Sequence, residues 1–115
     1  MVLHKTTRDS LPRSTATSLA AWLGENAQVH IGFADRAKAL LPWGKEAILF
    51  ASNGKLIQLK SARLSASDRP RSMARFEREA SEEVKACLKR AEFMGKWFAA
   101  SGEYTTVMAL WGIAP

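Results

Sequence analysis

The chain has 115 residues, 17 Lys and Arg against 11 Asp and Glu, a net charge of +6 and 47% hydrophobic residues including four Trp and five Phe. That length suits one domain, and the apolar content excludes wholesale disorder. A single cysteine excludes an internal disulfide, and with only His4 and His30 beside Cys87 it excludes a cysteine-based zinc cage.

Residues 1–13 mix Thr, Arg, Ser and Pro without periodicity and read as a flexible N-terminal tail with no secretion signal, ahead of a single domain over 14–115. A short helix is expected after Ser14 or Thr15, with Leu19, Trp22 and Leu23 on its apolar side and Gly24 as its stop. In AQVHIGF, residues 27–33, Val29, Ile31 and Phe33 alternate with polar positions, which predicts a strand. Asp35 opens a brief helix through Leu40 and Leu41 that Pro42 ends.

EAILFASNGKLIQLKS places two β-rich runs about Asn53 and Gly54, which predicts an antiparallel hairpin of 48–51 with 55–59. The Ser, Asp and Pro content of 61–71 reads as a surface connection. Residues 72–100 then read as one long amphipathic helix whose apolar line runs through Met73, Ala80, Val84, Cys87, Ala91, Met94 and Phe98. Gly102 closes it, and a last short helix, capped by Thr105 or Thr106, stops at Gly112. The SGEYTTVMAL segment resembles a helix-turn-helix only superficially, because its second helix lacks the Arg, Lys, Asn or Gln that read base edges.

The expected architecture is α+β and two-layered. A small antiparallel sheet of about three strands, with its Asn-Gly hairpin, packs against one long C-terminal helix, accompanied by short helices. So small a sheet leaves an open edge, which a homodimer would cover.

Catalytic constellations are missing. There is no Walker loop, GxGxxG, GxSxG or HExxH; His30 reads as a surface residue and Cys87 as an inert thiol on an apolar helix face. Neither metal nor other cofactor is implied, no apolar run reaches the ~18 residues of a membrane span, and a cytoplasmic, non-enzymatic protein is expected. Function then rests on binding. Between 55 and 78 stand Lys55, Lys60, Arg63, Arg69, Arg71, Arg75 and Arg78, an Arg-rich series whose guanidinium forks suit phosphates and carboxylates alike. Nucleic acid and an acidic protein both remain open as partners. Trp43 and Trp111, each beside a glycine at an element end, are candidate partner contacts of the kind found at interface hot spots. The chain therefore reads as a small basic regulator or accessory protein, or alternatively as an inhibitor, anti-activator or adaptor that masks an acidic surface.

Overall fold

The computed structural model describes residues 1–67 and 71–114, with Arg71 and Ser72 described in their backbone only. The fold is mixed α and β, mostly helical, with a two-stranded antiparallel sheet. It divides into two compact units, Met1–Arg36 with Ser81–Pro115 (unit 1) and Ala37–Ala80 (unit 2).

Unit 1 holds the core. Helix α1 spans Lys5–Ser10, α2 Leu19–Glu25, α3 Ala27–His30, α6 Glu82–Ala100 and α7 Tyr104–Leu110. Leu11, Leu19, Trp22, Leu23, Val29, Trp97, Val107 and Trp111 are its buried side chains. Trp97 is completely buried, and its indole N–H donates to the Thr17 carbonyl at 2.6 Å. Trp22 meets it edge-on, centroids 5.5 Å apart, and donates to the Ser10 carbonyl at 3.0 Å. Both polar tips thus find acceptors, so the rings enter the core without an orphaned donor.

The N-terminal residues expected as a tail are built into this unit. Arg8 is buried, donating to the Val2 carbonyl at 3.0 Å, to Cys87 Sγ at 3.1 Å and to Glu83 at 3.0 Å. Its hydrogen bond to Glu83 holds the guanidinium above its ordinary pKa. Arg90, from α6, donates to the carbonyls of Leu11 and Pro12, and Leu11 enters the core. Two arginines from distant parts of the sequence tie down the segment, a pairing that local composition does not announce.

The strand expected at 27–33 is replaced by α3 and the start of α4, which spans Phe33–Asn53. Val29 is buried whereas Ile31 is 72% exposed, so the alternation never acquires a common face. Gly32 turns the chain at φ +65°, and Arg36 donates to the carbonyls of Val29 and Ile31 at 2.8 and 2.6 Å, satisfying the end of α3.

Pro42 does not end the following helix; it lies inside the 21-residue α4. Proline removes one hydrogen bond, to the Lys38 carbonyl, and that loss is bearable because the stretch is exposed and water can replace the donor.

Asn53-Gly54 closes this helix instead of turning a hairpin. The Leu56 N–H reaches the Ala51 carbonyl at 2.8 Å, the Lys55 N–H reaches Ser52 at 3.1 Å, and Lys55 takes the left-handed conformation at φ 56°, which together make a Schellman cap. The hairpin comes one step later, with β1 at Ile57–Lys60 and β2 at Arg63–Ala66. Ser61 and Ala62 both adopt positive φ, as a two-residue type I′ turn requires.

The long helix expected over 72–100 is two helices, α5 at Arg71–Glu79 and α6. Ser81 breaks the run by capping α6, its hydroxyl accepting from the Val84 N–H at 3.3 Å, while Glu82 and Glu83 in the first turn favour the dipole. The inward line of α6 passes through half-buried Cys87, Arg90 and Met94 to buried Trp97 and leaves Ala91 exposed. The hairpin and α6 belong to different units, and among the described residues the sheet has two strands where about three were expected. Helix α7 ends where expected but begins two to three residues earlier. Its cap is Glu103, with no side-chain hydrogen bond, where Thr105 or Thr106 was expected, and Gly112 ends it at φ 68°.

Candidate docking surface

Unit 2 differs from unit 1 in having no buried side chain among its described residues. Of thirteen large apolar residues exposed among the described ones, nine lie in unit 2. Between 37 and 53, α4 is polar only at Lys38, Lys45, Glu46, Ser52 and Asn53. A helix so nearly apolar all round is normally buried, yet none of these α4 residues is fully buried; Trp43 is 69% and Phe50 77% exposed.

The hairpin repeats the pattern on a smaller scale. Its register pairs Ile57 with Ala66, Gln58 with Ser65, Leu59 with Leu64 and Lys60 with Arg63. Alternation puts Ile57, Leu59, Leu64 and Ala66 on one face and the four polar residues on the other. Leu59 and Leu64 stay 60% and 51% exposed, although a lone hairpin is marginal in water without a covered face.

Charge is concentrated in the same unit. Unit 2 has nine Lys and Arg against four Asp and Glu, net +5, and unit 1 has eight against seven, net +1. Of the basic residues singled out in the sequence, the structure sets Lys60 and Arg63 directly opposite each other beside the turn. Lys55 sits at the left-handed end of α4 and Arg78 in the last turn of α5, so Arg78 favours the dipole of its helix rather than opposing it. Arg75 is ion-paired to Glu79 at 3.0 Å, both exposed, a pair worth about 0.3–0.5 kcal/mol at most. Arg69 lies outside the described residues, as does the side chain of Arg71.

Trp43 lies on this exposed surface and Trp111 does not. Trp111 is buried, stacked on Phe33 with centroids 4.1 Å apart and planes at 28°, so its place is the core of unit 1 rather than a half-open element end. The reading from sequence missed Lys38 and Lys45, seven apart on α4. The signal was present as a heptad spacing, but it was hidden by taking Pro42 as a helix stop.

Among the described residues no three His, Cys, Asp or Glu side chains gather as a metal site, and no helix is long and apolar enough to cross a membrane.

A family model described as ABC-three component (ABC-3C) system Middle Component 3, MC3, matches residues 1–115, the whole chain. The chain belongs to the MC3 family. Membership makes it one component of a system of several, and so implies protein partners and an accessory role. Neither a curated protein nor a solved structure matches it.

Proposed function

We propose that this MC3 protein is a non-catalytic accessory component in which unit 1 is the folded scaffold and unit 2 docks a protein partner from the same three-component system. The observation that carries the reading is the nine exposed large apolar side chains of unit 2, in a family whose description names companion components. Apolar area on this scale in water is unfavourable by roughly 25 cal/mol per Å², and large exposed apolar area is a mark of interaction surfaces.

The test is co-expression of the full chain with the two companion components, followed by affinity purification. The native chain is expected to retain at least one companion. The Trp43→Ser, Phe50→Ser double variant is expected to lose it while keeping the helical circular dichroism of the native protein; unchanged retention would contradict the reading.

A second reading, nucleic-acid binding, is favoured by the exposed Lys60 and Arg63 side by side at the hairpin turn. It predicts fluorescence anisotropy with labelled DNA or RNA that weakens steeply with salt and is abolished by Lys60→Glu with Arg63→Glu. An unchanged isotherm in that double variant would end this reading.

A further inference from the structure

The exposed helix α4 carries a pattern more specific than its hydrophobicity. Ala37, Leu41, Gly44, Ile48 and Ala51 follow one another in steps of four, three, four and three, the spacing that keeps a seam facing a second helix. In heptad terms Leu41 and Ile48 take the a positions and Ala37, Gly44 and Ala51 the d positions. Large residues thus alternate with small ones, which admits close approach of a partner backbone. Leu41 and Ile48 are 57% and 39% exposed, and no α4 residue between 37 and 53 is fully buried. Pro42 falls at a b position, off the seam, so its missing hydrogen bond does not disturb the contact face.

The flanks of the seam differ. Lys38 and Lys45 occupy successive e positions on one side, while Leu40 and Ala47 occupy the g positions on the other. Trp43 and Phe50, at c, carry the apolar surface further round that second flank. Neither Lys38 nor Lys45 has an ion pair or side-chain hydrogen bond among the described residues. Flanking charges of this kind set partner choice in helix pairs.

These flanks disfavour a second copy of the chain. An antiparallel self-pair would face the e lysines of one helix with those of the other. A parallel self-pair would set each lysine against Leu40 or Ala47 and desolvate an ammonium group without a counter-charge. Duplex or single-stranded nucleic acid could neutralise the lysines but would leave Leu41 and Ile48 uncovered. A helix with its own apolar seam and carboxylates along one flank satisfies both features.

Resting on the docking role assigned above to unit 2, we propose that the Ala37–Ala51 seam of α4 pairs with an amphipathic helix of a partner protein whose flank facing Lys38 and Lys45 is acidic. The lysines then select the partner and fix its register, and Leu41 and Ile48 supply the buried contact.

The test measures affinity of the full chain for each purified companion component, with a single-stranded DNA oligonucleotide and phosphatidylcholine–phosphatidylglycerol vesicles as controls. One companion is expected to bind. Lys38→Glu with Lys45→Glu should weaken it by at least about tenfold, as should Leu41→Ser with Ile48→Ser, while Lys38→Arg with Lys45→Arg stays within about threefold of native. Circular dichroism of each variant separates lost contact from lost folding. The native protein gives a measurement that needs no variant, since its affinity should fall about tenfold between about 0.1 and 0.5 M salt. If the serine pair abolishes binding and the glutamate pair leaves it unchanged, the docking surface stands and the acidic partner flank is wrong. Binding to neither companion, or to DNA or vesicles alone, overturns both, and a glutamate variant that self-associates no differently and binds as the native chain does overturns the pairing scheme.

Discussion

Units 1 and 2 are made from the same kinds of residue and use them in opposite ways. Unit 1 surrounds Trp97 with Trp22, Phe93 and Phe98 and gives its buried arginine, Arg8, four partner atoms on Val2, Cys87 and Glu83. Unit 2 places Trp43, Phe50, Leu59 and Leu64 in water and carries most of the net charge. Unit 1 hides its tryptophans and gives Trp22, Trp97 and Arg8 partners within the unit, while the buried Trp111 indole N–H has none and Tyr104 stays exposed. Unit 2 leaves its large apolar side chains in water, and under the docking role proposed above another component of the system covers them.

The contrast is broken most forcefully by truncating one aromatic in each unit. Trp97→Ala should lower the stability of unit 1 by about 3–5 kcal/mol, whereas Phe50→Ala should change it by no more than about 0.5 kcal/mol. Denaturant unfolding followed by tryptophan fluorescence checks both; comparable losses would mean that α4 has a packed role.

Pro42→Ala sharpens the comparison next. Alanine restores the N–H that can bond to Lys38, and in an exposed helix interior the gain approaches about 3 kcal/mol. Hydrogen exchange of α4 peptides should slow while exchange in α6 stays as it was.

Gly112→Ala acts on unit 1. It forces an alanine into φ 68° and sets its Cβ about 3.4 Å from His30 Nε2, a cost of about 1–2 kcal/mol in thermal unfolding. Lys55→Gly is the mirror experiment in unit 2, because Lys55 pays that conformational penalty in the native protein. Glycine should firm the end of α4 by about 0.5–1 kcal/mol, read as slower amide exchange of residues 51–56.

The smallest effect concerns pH. Asp9 has its pKa lowered chiefly by the hydrogen bond from Lys5 at 2.6 Å. A carboxyl whose folded pKa is depressed adds stability that is complete above its unfolded pKa and lost as pH falls through the folded one. In acid unfolding, Asp9→Asn should therefore be slightly less stable than the native protein above about pH 4 and converge with it as pH falls below that, the difference being small because the pair is exposed.

The last helix and its glycine stop were legible because all the relevant information is local, a polar start and Gly112 at the end. The cluster of Leu19, Trp22 and Leu23 was legible for the same reason. The middle of the chain misled because each of its punctuation marks has two uses. Asn53-Gly54 serves a hairpin turn or a helix end, and Pro42 stops a helix or sits in one whose surroundings are wet. Ser61 and Ala62 give no sequence cue to the positive φ they adopt. Ser81-Glu82-Glu83 did carry a helix-start signal, obscured by apolar spacing that runs across it. Of the candidate site, the basic composition of 55–78 could be read directly. The burial of Trp111 could not, because it depends on Phe33 and Phe98 arriving from remote parts of the sequence.

Amide hydrogen exchange of the full chain, alone and saturated with the companion component that binds it, tests the central claim most directly. The account predicts protected peptides in α6 of unit 1 in both states, and fast exchange in α4 and the hairpin of the free protein that slows on binding. New protection confined to unit 1, with residues 37–66 exchanging as fast as before, would contradict it.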